Sequence, residues 1–341
     1  MNSTDRFAAN NDGATLCHVA KSFARFGALG MALLAFVLVS PKAAIGQQLK
    51  WLQGGGSIGP MSSSVGPSLT AFNGRLYAAW KGYKNDQALY FSSIDPGNPT
   101  VPHGATWSAQ QVIPNTGSSV GPALAVFRNK LFAIWKGRGS DQALYWSSFD
   151  GTRWAAQQRL NGVASSVGAS LAVFNGRLFA AWKGAGSDQG IYFSSFDGTN
   201  WAAQQLLRGV GTSHGPALAS ANGVLVAAWK GIEGDSSIYY STFDGRVWAN
   251  QKSIGGAKSS IGPSMVVSNA IWAVWRGEGS DNNLYWSYYD GGPSWSGHSG
   301  IAGAISATGG SIAVLGQYIY MAWRGAGDDQ SIYYRAAYEA P

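Results

Sequence analysis

The chain of 341 residues has a single cysteine, four histidines and only 12% charged residues. Cys17 lies near the N-terminus, so residues 47–341 have no thiol and no disulfide, although export would permit one. Stability there must come from packing. The histidines are as uninformative for metal chemistry as the lone cysteine, because His103, His214 and His298 occupy unrelated repeat positions and form no ligand spacing. No phosphate-binding loop is present, and the Gly-x-Ser-x-Gly match at Gly55–Gly59 has no helix after it. No metal and no cofactor is expected.

Long apolar runs are also scarce. The only one, Phe26 to Val39, follows Lys21 and Arg25 and precedes the small residues Ala44 and Gly46, the layout of a secretory leader. Its fourteen residues are short for the roughly 20 that span a bilayer. Residues 1–46 are therefore expected to be a signal peptide, and residues 47–341 a soluble exported protein. The formal net charge of +7 includes +2 from the leader, and the remaining +5 is spread along the chain. That balance argues against nucleic acid as a partner and is compatible with acidic cell surfaces.

What the chain has in quantity is glycine (47), tryptophan (15) and 45% hydrophobic residues, the composition of short strands and tight turns. These residues recur. A Trp-Lys/Arg-Gly element appears at Trp80, Trp135, Trp182, Trp229, Trp275 and Trp323, 46 to 55 residues apart, and an aspartate follows each tryptophan by six residues: Asp86, Asp141, Asp188, Asp235, Asp281 and Asp329. The six repeats start near residues 63, 118, 165, 212, 259 and 306. The third contains four strand-like segments, SVGASLAVF, RLFAAWKG, GIYFSSF and NWAAQQLL, separated by turn signals. Four strands in 40 to 50 residues make a propeller blade.

The expected fold is all-β, a six-bladed β-propeller of four-stranded blades. The sixth copy stops before its fourth strand, and LKWLQ around Trp51 stands where that strand would have to come from. Trp51 precedes Gly66 by 15 residues, while Trp107, Trp154, Trp201, Trp248 and Trp295 precede the next repeat's glycine by 14. An N-terminal strand completing the last blade would close the ring and remove two sheet edges. The longer first repeat carries an insertion, PGNPTVPHGAT, read as a loop.

Twelve of the 15 tryptophans and eleven of the twelve aspartates after residue 46 fall at two repeat positions each. The runs Ser148–Trp154, Ser195–Trp201 and Thr242–Trp248 resemble the Asp-box of sialidases and related propellers, and are one residue shorter. That resemblance implies a structural role for Asp150, Asp197, Asp244 and Asp290, by accepting backbone hydrogen bonds in the turn.

The Trp-Lys-Gly loops and the Ser-Ser-Val-Gly-Pro-like starts should share one face of the propeller. Each repeat then presents a tryptophan, a cation, an aspartate and often a glutamine: Trp80, Lys81 and Asp86; Trp135, Lys136, Asp141 and Gln142; Trp182, Lys183, Asp188 and Gln189; Trp229, Lys230 and Asp235; Trp275, Arg276 and Asp281; Trp323, Arg324 and Asp329. Two readings stand. In one the tryptophans pack between blades and the cation pairs with the aspartate across the hairpin. In the other they form shallow pockets, with an aromatic face for a sugar ring and polar groups for its hydroxyls.

Residues 47–341 resemble the propeller lectins, such as the fungal fucose-binding lectins and the tectonins, in their Trp-rich repeats and ring closure. The resemblance implies a secreted, multivalent, non-enzymatic lectin whose partners are glycans, with ligands between adjacent blades. A protein-binding scaffold, an adhesin or a toxin-associated module is the alternative. A sialidase-like hydrolase is less favoured, because the acids are nearly all repeat copies and this face has arginine only at Arg276 and Arg324.

Overall fold

A computed structural model describes residues 48–53, 55–97 and 106–340; residues 1–47, which include the expected signal peptide, Gly54, residues 98–105 with His103, and Pro341 lie outside the described residues. Every regular element described is a β-strand. Among the described residues no helix is long and apolar enough to cross a membrane. The strands form six antiparallel sheets arranged in a ring, a six-bladed β-propeller.

The third blade shows the plan. Its inner strand, Ser170–Phe174, pairs with Arg177–Lys183, which pairs with Gly190–Phe196, which pairs with the outer strand Gln205–Gly211. The first two strands meet at Asn175-Gly176, both left-handed (φ 47° and 71°), the paired positive φ of a type I′ hairpin. Asn73-Gly74 and Asn222-Gly223 repeat it.

The second strand of this blade is buried along nearly its whole length, on both faces. A sheet with water on one side would alternate; here the neighbouring blades cover both sides. The apolar residues accordingly group into six clusters, one at each seam between adjacent blades. The cluster between the second and third blades joins Phe132, Ile134 and Leu144 to Leu178, Ala180 and Trp182, and the cluster between the sixth and first joins Tyr320 and Ile332 to Leu76 and Trp80. The core is therefore a ring of seams.

Around the axis the inner strands enclose a channel of about 790 Å³. At its end near the repeat starts the backbones crowd together. A Cβ on Gly121 would lie 2.7 Å from the Gly66 carbonyl, and one on Gly215 would lie 2.9 Å from that of Gly168, so only glycine lets successive blades approach this closely. Across the inner strands the Leu69 N–H donates to Ser311 Oγ at 2.9 Å, tying the first blade to the sixth.

The sixth blade differs from the other five. Its third strand, Ser331–Ala340, runs for ten residues and is flanked by two N-terminal segments: Gln48–Trp51 pairs with Ala337–Ala340, and Gly56–Ser62 pairs with Ser331–Tyr334. The outer-strand position belongs to Gly56–Ser62, whose exposure pattern matches that of the outer strand Gln158–Ala164. The segment around Trp51, expected as the fourth strand, corresponds instead to the short bridges at Phe149–Trp154, Phe196–Trp201 and Phe243–Trp248 that precede an outer strand. The reason is distance: in the second, third and fourth blades a Trp bridge and then an outer strand fill the 14 residues before the next repeat's glycine.

Candidate functional site

Each Trp-Lys/Arg-Gly loop joins the second and third strands of its blade. In the third blade Asp188 organises the loop: Oδ1 accepts the Gly190 N–H at 2.8 Å, Oδ2 accepts the Tyr192 hydroxyl at 2.9 Å, and the Asp188 N–H donates to the Ala185 carbonyl at 3.0 Å. A Cβ on Gly184 would collide with the Asp188 carboxylate, which explains the glycine after Trp-Lys. The same pair of acceptor bonds holds Asp86, Asp141, Asp281 and Asp329. Asp235 is held alike by the Ser237 N–H and Tyr239. These backbone donors keep the Asp141 and Asp281 carboxyls below the ordinary carboxylate range, the Ala143 and Asn283 N–H groups being the largest influences.

The loops and the repeat starts do share a face. Lys183 Nζ donates to Ser166 Oγ at 2.8 Å and to the Gly186 carbonyl at 3.0 Å, and Ser166 Oγ donates to the Gly184 carbonyl at 3.0 Å. Lys81, Lys136 and Lys230 repeat the ammonium-to-serine bond through Ser64, Ser119 and Ser213. Arg276 uses Asn282 Oδ1 and the Gly279 carbonyl; Arg324 uses the carbonyls of Ser63 and Gly327. The expected cation–aspartate pair across the hairpin is replaced by these bonds. A buried ammonium finds more acceptors in loop carbonyls than in one carboxylate already committed to its turn. Burial lowers the pKa of Lys81, Lys136, Lys183 and Lys230, and the charge of each loop's aspartate partly offsets this.

The tryptophans sit inside the seams. Trp80, Trp135, Trp182 and Trp229 are 0% exposed, Trp275 1% and Trp323 7%. Each packs in the cluster between its own blade and the preceding one, so the first of the two readings describes them: their ring faces are covered by neighbouring side chains and have no room for a ligand. The aromatic surface that reaches this face belongs instead to half-buried tyrosines stacked on the tryptophans, Tyr90 on Trp80 at 6.5 Å and Tyr333 on Trp323 at 5.8 Å between ring centroids. The sequence carried a signal for them, a tyrosine four residues after every loop aspartate, at Tyr90, Tyr145, Tyr192, Tyr239, Tyr285 and Tyr333.

Gln142 and Gln189 have a different task from the one expected. Gln142 Oε1 accepts the Gly186 N–H, and Gln189 Oε1 accepts the Glu233 N–H, each at 2.7 Å. Gln87 does the same to Gly139. Each glutamine thus latches its blade to the loop of the next. At the following seam Ser236 Oγ donates to the Glu278 carboxylate, and in the fifth blade Asn282 turns back to Arg276.

On the opposite face the Asp-box-like aspartates accept backbone bonds within their turns. Asp150 Oδ1 takes the N–H groups of Thr152 and Arg153, Asp197 Oδ1 those of Thr199 and Asn200, all at 2.8 Å. Asp244 Oδ1 takes those of Arg246 and Val247 in the same manner, and Asp290 Oδ1 accepts the Gly292 N–H. Beyond these turns the second set of tryptophans packs on the preceding blade, Trp154 on Phe91 at 5.6 Å and Trp248 on Phe193 at 5.6 Å. Among the described residues no group of three or more His, Asp or Glu is placed to hold a metal ion.

No family model matches the chain, and no curated protein matches it. Solved structures do. The lectin of Aleuria aurantia in complex with α-methyl-L-fucoside is 13% identical, with a TM-score of 0.57 over 82% of this chain and 96% of the lectin. A mutant of AofleA from Arthrobotrys oligospora is 12% identical, with a TM-score of 0.61 over 85% and 86%. A subtype N10 neuraminidase-like protein of A/little yellow-shouldered bat/Guatemala is 10% identical, with a TM-score of 0.54 over 86% and 100%. At these identities the likeness is one of architecture: the chain is a six-bladed β-propeller, the fold of the Aleuria aurantia fucose lectin.

Proposed function

We propose that this protein is a secreted, non-enzymatic carbohydrate-binding propeller whose sugar sites are the grooves between blades on the face of the Trp-Lys/Arg-Gly loops. The observation that carries this reading is the Asp–Tyr pair, present once per blade. The tyrosine hydroxyl orients a largely exposed carboxylate beside an aromatic surface, the mix of apolar wall and few fixed polar groups that small-ligand sites use. The Aleuria aurantia lectin of similar fold, seen with α-methyl-L-fucoside, supports the same ligand class. Multiplicity suits weak sites: a lone pocket binding near 1 mM is worth about 4 kcal/mol, and several engaging one glycan-coated surface gain roughly 10² to 10⁴ in avidity.

The neuraminidase-like proteins of similar fold favour a second reading, glycoside hydrolysis. That chemistry needs two carboxyl groups in unlike environments. Here the loop aspartates have one shared environment and are bound into their own turns, which supports binding over catalysis.

A glycan array with the exported protein tests the proposal. Signals that free monosaccharide suppresses support it; silence across the array, with binding retained to deglycosylated cells, supports a protein-binding scaffold instead. Release of free sugar from fucosylated or sialylated oligosaccharides, read by mass spectrometry, would establish the hydrolase.

A further inference from the structure

The inter-blade grooves share the Asp–Tyr pair and differ at two facing positions: the fourth residue of each loop and the last residue of the preceding blade's outer-strand region. Between the first and second blades these are Arg138 and Gly117. The Arg138 guanidinium lies directly over Gly117 and donates to the Thr116 carbonyl at 2.6 Å, so it fills the groove. Between the third and fourth they are Ile232 and Gly211, packed so that a Cβ on the glycine would lie 2.9 Å from Ile232 Cγ2. Between the fourth and fifth, the Glu278 carboxylate stands 3.6 Å from Lys258 Nζ and also accepts from Ser236, closing the groove with an ion pair.

Between the second and third blades the pair is Ala185 and Ala164, and between the fifth and sixth Ala326 and Ile305, so the seam between the sixth and first blades is the one with an aromatic residue at the loop position. Tyr83 and Ser62 stand there, with Asp86, Tyr90, Gln110 and Pro60, around a cavity of about 290 Å³. Tyr83 is 43% exposed. The glutamine latch is also missing at this seam: Gln330 Oε1, the counterpart of the Gln87, Gln142 and Gln189 oxygens, is buried without a partner. The first blade's loop is therefore not drawn onto its neighbour, and Lys84 takes a left-handed backbone (φ 51°) where most of the other loops have glycine.

The geometry points to a dedicated site for one pyranose ring at this seam, with Tyr83 as the aromatic platform and Asp86, Gln110 and Ser62 receiving the hydroxyls. This rests on the carbohydrate-binding reading and names, among its grooves, the one built with its own aromatic platform. The cavity is at the lower end of the about 300–1,000 Å³ of small-molecule sites, which is room for a single ring. Asp86 has one bond to each oxygen, from the Ala88 N–H at 2.9 Å and the Tyr90 hydroxyl at 2.8 Å, so each retains a lone pair for a sugar hydroxyl. The exposed Gln110 amide adds both a donor and an acceptor. Lys84 Nζ lies over one face of the Tyr83 ring, 4.9 Å from its centroid, which leaves the other face for the sugar, and the Asp86 carboxylate accepts from its hydroxyls.

The test is saturation-transfer NMR and calorimetry on the full chain with methyl α-L-fucoside, N-acetylglucosamine, methyl α-D-mannoside and N-acetylneuraminic acid as separate probes. At least one neutral probe should bind. Tyr83→Ala and Ser62→Phe should each weaken the neutral probe at least ten-fold with an unchanged melting temperature; Ala164→Phe, which puts a ring into the groove between the second and third blades, should weaken it clearly less, and Val247→Ala on the opposite face should leave it unchanged. Wild-type affinity in both Tyr83→Ala and Ser62→Phe would remove this site and leave carbohydrate binding intact, placing it elsewhere. An equal loss in Ala164→Phe would show that no groove is dedicated. If the wild-type protein binds none of the four probes and no array glycan, both proposals fall.

Discussion

Gln142 of the second blade accepts a hydrogen bond from the backbone N–H of Gly186 in the third, 2.7 Å across the seam. A side chain chosen from sequence as a sugar ligand is thus part of the joint between blades. Gln142→Ala removes one partly exposed hydrogen bond, worth about 0.5–1 kcal/mol, and should lower the melting temperature by about 2 °C with sugar affinity unchanged. A loss of affinity without a change in melting would return Gln142 to a ligand role.

Trp182 separates packing from ligand stacking in the same way. It is fully buried, and its indole N–H has no acceptor among the described residues. Trp182→Phe should therefore cost only about 1–2 kcal/mol, and Trp182→Ala about 3–5 kcal/mol through the cavity it leaves. Chemical denaturation measures both. Sugar binding by the folded fraction should persist in each.

The second strand of the sixth blade carries a titration that appears only in alkali. Burial raises the pKa of the Tyr320 hydroxyl to about 12. In the unfolded chain it ionises near 10, so the native state holds the proton more tightly and stability is lost as pH rises from about 10 through about 12. The loss from this group approaches about 3 kcal/mol, and Tyr320→Phe should flatten that part of the stability–pH profile. Urea melts from pH 9 to 12 measure it.

Asp244 behaves in the opposite sense. The Val247 and Arg246 N–H groups hold its carboxyl below the ordinary carboxylate range, so its contribution is present at neutral pH and lost as pH falls through its lowered pKa. Asp244→Asn keeps the acceptor oxygen and should melt close to the wild-type temperature. Asp244→Ala should melt lower at pH 7, with the gap narrowing in acid.

Removing residues 48–62 exposes one whole side of the ten-residue strand Ser331–Ala340. A long bare edge invites pairing with other chains. The truncated protein should elute as aggregates in size-exclusion chromatography and melt well below the intact chain. A monomeric product with unchanged melting would show that this edge needs no cover.

The six Trp-Lys/Arg-Gly elements, their spacing and the period-2 strands make the propeller legible from the chain alone, because a repeat of that length and strand count has few ways to bury its apolar residues. The aspartates of the Asp-box-like turns were legible for a similar reason: their bonds run to N–H groups two and three residues away, and local chemistry is written in local sequence. Contacts between repeats are not. Whether Trp182 faces a ligand or a neighbouring blade depends on how closely blades pack, and Gly121 and Gly215 set that spacing through backbone approaches to Gly66 and Gly168, 55 and 47 positions away. The same holds for Gln142, for Arg138 over Gly117, and for the open groove beside Tyr83. The sequence by itself determined the blade and the number of copies; only the tertiary structure decided which side chains the seams consume and which remain for a ligand, because that choice is made by distances between blades.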